Sequence, residues 1–291
     1  MGDAAGAARV EAAIRRRAKD ARAEMKSYSV EIKIPRAELD QLADKICGET
    51  LQDALVNVAG AAVMSYENIA DRLKQSLKGS ALIAHISVTL PGPEGFTEAT
   101  LGSVDEDEEG RTIHHAGEML HMHAGMLHRF FERIREKYAP TAAQLSDYIE
   151  ASTLFSPERR PLLERGLQAW LEGDSVVAAH LLVPQLEAAL RRLCTTVGGS
   201  VMTPDERYDG FRVDGMGTVL NEPSLAAAIP PEVRFHLSAL FTDPRGLGVR
   251  NHIAHGMVMP ETLGIGLCNW IVHAVLMVAQ FGERNPREST T

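Results

Sequence analysis

The chain has 291 residues, 45% hydrophobic and 24% charged, with a net charge of −9 and 5% aromatics. That length can bury a large core and suits one or two domains. The charge is −6 over residues 1–150 and −3 over 151–291. Neither half is therefore fitted to salt-driven, non-specific nucleic-acid binding, and any RNA site must be a local patch. Few aromatics also argue against a stacking surface for single strands. Cys47, Cys194 and Cys268 are far apart and form no CxxC pair. Neither a zinc ribbon nor a disulfide framework is indicated, and the count fits a reducing cytosol, so a cytoplasmic location is expected.

Residues 4–26 read as an exposed, Ala-rich helix. The segment Met1 to Lys26 has interspersed acids and no apolar core, so neither a secretory signal nor a transit peptide is expected. Tyr28 to Ile34 and Leu82 to Leu90 are β-prone, and the two runs are expected to pair as a short hairpin. Between them, Pro35 opens a long helical region to about Lys78. Pro91 to Gly110 reads as a loop whose run Asp105 to Glu109 is solvated and mobile, as charge runs usually are.

A histidine-rich helix follows, to about Tyr138, with Pro140 ending it. His114, Glu118 and His121 recur at spacings of four and three, and His128 comes seven later. Those spacings can serve a metal, but no HExxH and no cysteine supports one. A polar face with surface histidines and no bound metal is expected, and no cofactor either.

Ser156-Pro157-Glu158 looks like an N-cap with a first-turn proline. Its helix runs to about Glu172, and Ser175 to Thr196 gives a long amphipathic one that Pro184 should kink or restart. Residues 197–223 read as loop, and a further helix spans Pro231 to about Thr242. Pro260 to Phe281 is the last helix. Thr262 to Gly282 has no charged residue. Its Asn269, His273 and Gln280 favour a buried helix or a subunit interface over a membrane span. The fold class expected is mainly α, with a helical bundle over 151–291 and an α-rich region of unknown role over 1–150.

Between the last two helices lies Gly246-Leu247-Gly248-Val249-Arg250-Asn251-His252-Ile253-Ala254-His255-Gly256. Gly248 and Gly256 read as start and stop marks of a short helix. On it Asn251 and His255 share a face, and Arg250 is placed to swing toward them. A fixed charge, an amide and a group titrating near neutral pH suit a phosphate and its cleavage. The same residues at a helix end also serve simply to satisfy carbonyls or pair with a carboxylate.

This run resembles the RNxxxH signature of the HEPN superfamily. Leu181-Leu182-Val183-Pro184-Gln185-Leu186-Glu187-Ala188-Ala189-Leu190-Arg191 is similar to the LL-x-P-Q-x-E-x-x-x-R helix of one bacterial HEPN family, whose members end in LRN-x-x-AHG. The resemblance covers roughly residues 150–285. Here Val249 replaces the usual leucine, and a histidine follows Asn251.

The resemblance implies a helical bundle that pairs as a homodimer, with two motifs meeting in a cleft. It implies a metal-independent endoribonuclease of toxin or antiviral systems, with RNA as substrate and an antitoxin as a candidate partner. Arg250 and His255 would be the catalytic pair, assisted by Asn251. His252, Glu187 and Arg191 would support them, and Arg245 and Arg250 would contact RNA. The alternative is a non-catalytic HEPN module that binds a nucleotide or a partner protein.

Overall fold

The structure, a computed structural model, describes residues 4–24, 35–78, 84–92 and 95–283. Helix α1 (Ala4–Glu24) is followed by α2 (Arg36–Cys47), α3 (Leu51–Gly60) and α4 (Tyr66–Leu77). The helical region expected from Pro35 to about Lys78 is thus made of three helices. Gly48 breaks it at φ 57°, and Thr50 restarts it through a reciprocal capping box with Asp53. Ser65 caps α4 by accepting from the Asn68 N–H.

Strands β1 (Val88–Pro91) and β2 (Thr97–Leu101) pair antiparallel. The hairpin differs from the expected one. Tyr28 to Ile34 lies outside the described residues, and most of the Leu82 to Leu90 run precedes the strand. The partner is a segment read as loop. The acidic run is also corrected. Asp107 N-caps the 31-residue α5 (Glu108–Tyr138), and Glu108 and Glu109 lie in its first turn. Carboxylates there meet the positive end of the helix dipole, so the run starts a helix rather than a mobile loop.

The rest is α6 (Ala142–Glu150), a 3₁₀ turn (Pro157–Arg159), α7 (Arg160–Glu172) and α8 (Ser175–Thr196). Next come strands β3 (Met202–Asp205) and β4 (Gly210–Val213), in the stretch read as loop, then α9 (Met216–Leu220) and α10 (Pro223–Ala228). Helix α11 (Pro231–Leu237) passes into a π-helical turn (Ser238–Thr242). Last are α12 (Val249–Ala254), a 3₁₀ turn (Pro260–Thr262) and α13 (Ile265–Val278). Ser156 makes no capping bond; its hydroxyl pairs with Glu158, and the α-helix starts only at Arg160. Pro184 does not interrupt α8. A helix-interior proline costs about 3 kcal/mol. Burial of Leu182, Val183, Leu186 and Leu190 at 2% exposure or less offsets that, each such side chain contributing about 1.5–3 kcal/mol.

Helix α13 is the axis of the fold. It packs against α3, α5, α7 and α8, and every residue from Cys268 to Val278 is buried. One cluster of buried side chains runs from Ala43 to Ala279, so helices on both sides of residue 150 share it. The missing charge of this helix therefore reflects burial inside one chain. Its polar residues tie it down. Asn269 accepts from the Trp170 indole N–H at 2.8 Å and meets His128 Nδ1 at 3.1 Å. The Trp270 indole donates to the Leu120 carbonyl at 2.9 Å. Among the described residues no helix is long and apolar enough to cross a membrane.

Two histidines sit in this core. His236 and His273 are fully buried and pack in a triangle with Trp270: the ring centroids are 5.5 Å apart between the histidines and 5.4 and 5.3 Å from each to the indole. His273 Nε2 lies 2.7 Å from the Ala61 carbonyl. Burial depresses both pKa values, His273 to about 4 from 6.5 and His236 well below 6.5. Above pH 6.5 both histidines are neutral in either state and cost nothing. As pH falls below 6.5 the unfolded chain takes up protons that the folded chain refuses, so stability declines until the folded values are reached. For His273 alone that loss is roughly 3 kcal/mol. Chemical denaturation should show stability falling between pH 6.5 and 4, and His273→Gln should flatten that slope.

Candidate functional site

The motif segment is held by its glycines. Leu247 N–H donates to the Ala239 carbonyl at 2.7 Å. At Gly246 a Cβ would stand 2.1 Å from that same carbonyl oxygen, so the approach admits no side chain. Gly248 takes φ 53°, Gly256 takes φ 66°, and α12 lies between them. The start and stop marks are where the sequence placed them. The π-helical turn before the segment supplies two acceptors, the Ala239 and Thr242 carbonyls. Such turns occur mostly as single-turn insertions in α-helices, frequently at functional sites.

Three successive residues of α12 leave it in three directions, as 100° of rotation per residue requires. Arg250 reaches α8 and grips Glu187 with two parallel bonds, Nε to Oε2 and Nη2 to Oε1, both 2.9 Å. Asn251 donates to the Thr242 carbonyl at 2.9 Å. His252 Nε2 lies 2.7 Å from Glu98 Oε1 on β2. His255 is the exposed C-cap residue, with no side-chain hydrogen bond among the described residues. Arg250 is thus directed to α8. The Glu187 carboxylate captures it, since a bidentate, charge-assisted pair outweighs an exposed position.

Glu187 is 7% exposed and makes two further contacts with the chain around it. Arg191, one turn along α8, bonds Oε1. The Met216 N–H donates to Oε1 at 3.0 Å, where α9 starts. Arg191 Nε also donates to the Asp214 carbonyl at 2.9 Å. One buried carboxylate therefore joins α8, α9 and α12. The two stretches that carried the sequence resemblance, 181–191 and 247–256, meet at this pair.

Arg245 forks onto Asp243 at 2.9 and 2.8 Å, with Asp107 3.7 Å away. Its hydrogen bonds to Asp243 hold the guanidinium pKa above its usual value. The histidine-rich helix lies against this turn. His114 Nδ1 is 3.1 Å from the Arg245 carbonyl. His115 pairs with Glu118 at 2.9 Å, a contact that lowers the Glu118 pKa. His121 is exposed, and His128 turns to Asn269. His114 and Glu118 have different partners, and among the described residues no three His, Cys, Asp or Glu side chains gather in a metal-holding group.

Sequence reasoning missed Glu98 and Asp243. Glu98 is a lone acid in a short strand, 154 residues from its partner, and no spacing rule links the two. Asp243 had a signal, since it opens the turn Asp243-Pro244-Arg245-Gly246 beside a basic residue. No family model matches the chain, and no curated protein or solved structure matches it either.

Proposed function

We propose that the chain is a metal-independent endoribonuclease of HEPN type, acting as a toxin or antiviral effector. The observation that carries this is the Glu187–Arg250 pair. It ties the two stretches resembling the family into one local structure and leaves His255 open to solvent on the same short helix. RNA supplies its own nucleophile, the 2′-hydroxyl. A histidine moves a proton near neutral pH, and an arginine stabilises the crowded, negative phosphorane. No metal is needed for that chemistry. Arg250, Asn251 and His255 are the proposed catalytic set, with Glu187 and Arg191 holding Arg250 in place and Arg245 as a second contact to RNA. Pairing as a homodimer and an antitoxin partner are proposed from the resemblance alone, because the uncharged last helix is spent on the core of one chain; a cytoplasmic location is proposed from the three scattered cysteines.

One observation favours a second reading, a non-catalytic module that binds a nucleotide or a protein. Arg250, Arg245 and His252 each already face a carboxylate, and the chain carries a net charge of −9. Incubation with total RNA in excess EDTA separates the two. The nuclease reading expects fragments ending in 2′,3′-cyclic phosphate and 5′-hydroxyl. Intact RNA, or cleavage that EDTA stops, would favour the second reading or another nuclease chemistry.

A further inference from the structure

We propose that Glu98 and His252 form the proton-accepting half of the site, and that His255 provides the proton-donating half within the same chain. The inference rests on the ribonuclease reading and changes His252 from a supporting residue into the base.

The β1–β2 hairpin is built to aim Glu98. Its register pairs Leu90 with Ala99 but Pro91 with Thr97, so Glu98 is the extra residue of a β-bulge. A bulge leaves one residue out of the ladder and redirects its side chain, a device common beside active sites. The redirected carboxylate meets His252 at 2.7 Å, and the two side chains are only 23% and 22% exposed. A carboxylate only accepts, so Nε2 carries the proton in this bond and the neutral ring keeps its lone pair on Nδ1. A carboxylate behind one ring nitrogen fixes the tautomer and stabilises the imidazolium formed when the other nitrogen takes a proton.

The step balances within one chain. Nδ1 of His252 takes the proton of the 2′-hydroxyl, and O2′ bonds to phosphorus. The P–O5′ bond breaks, and His255 gives its proton to O5′. The products are a 2′,3′-cyclic phosphate and a 5′-hydroxyl, and a proton passing through water from His252 to His255 resets the pair. Residues three apart on a helix have Cβ atoms about 5–6 Å from each other, close enough to serve one phosphate. The hairpin from the N-terminal half thereby becomes part of the site, with Glu98 as a positioning residue.

The test is single-strand RNA cleavage in EDTA by wild type, Glu98→Ala, Glu98→Gln, His252→Ala and the double variant Glu98→Ala/His252→Ala. Glu98→Ala should lower kcat about 10- to 100-fold with KM and thermal melting unchanged. Glu98→Gln should recover part of the loss, because its amide oxygen still accepts from Nε2–H but carries no charge. In the double variant the loss should equal that of His252→Ala alone, as expected of residues acting as one unit. Nitrogen NMR should find the Nε2–H tautomer of His252 in wild type and a mixture in Glu98→Ala. Unchanged or faster cleavage by Glu98→Ala overturns the inference and leaves the ribonuclease reading standing. A wild type that cleaves no RNA overturns both.

Discussion

Glu187→Ala is expected to destabilise the protein by about 3 kcal/mol or more, the largest effect of any single change at the site. The carboxylate neutralises two guanidinium groups and accepts a backbone N–H, at 7% exposure. Its removal leaves Arg191 and Arg250 facing each other's charge with no partner between them. Breaking a buried pair by deleting one member typically costs about 3–5 kcal/mol. The side chains of Arg191 and Arg250 are 27% and 21% exposed, so water relieves part of that penalty and the lower end applies. Glu187→Gln should cost less, since it keeps the shape and one acceptor. Urea denaturation of the three proteins measures the order directly. A Glu187→Ala variant as stable as wild type would mean that the arginines find other partners.

His255→Ala is expected to have the opposite signature: activity lost, stability kept. The ring is exposed, and among the described residues its side chain has no hydrogen bond, so truncation breaks nothing in the fold. Surface changes of this kind usually stay within about 0.5 kcal/mol. Loss of a general acid or base typically costs about 10²–10⁴-fold in rate. Arg250→Ala is a poorer probe, because it removes the proposed phosphate contact and also takes one of two arginines from a buried carboxylate. Loss of activity there would not separate the two.

The helices were legible where local rules decide them. Gly248 and Gly256 marked α12, and Ser175 to Thr196 was bounded as it folds. The approach of residues 181–191 to 247–256 was foreshadowed by their resemblance to one family. What was not legible came from long-range contact. Pro184 stays helical because its neighbours are buried. The run Asp105 to Glu109 is solvated as expected, but its role in starting a helix shows only once the helix that Asp107 caps is seen. The partner of β1 turned out to be a threonine-rich strand inside a presumed loop. Strands β3 and β4 lie among glycines and prolines with little apolar content. The uncharged last helix fitted a core or a subunit interface equally well, and only its contacts with α3, α5, α7 and α8 distinguish them. At the site, Glu187 sets the direction of Arg250; spacing along α12 cannot reveal that residue, though it was already among the expected supporting residues.

The central claim is that this helix cleaves RNA without metal through His255. Its most direct test is end-labelled RNA incubated in EDTA with wild type and with His255→Ala, after both have been shown to melt alike. The account predicts fragments bearing 2′,3′-cyclic phosphate from wild type and none from the variant. Equal cleavage by the two proteins, or none by either, would contradict it.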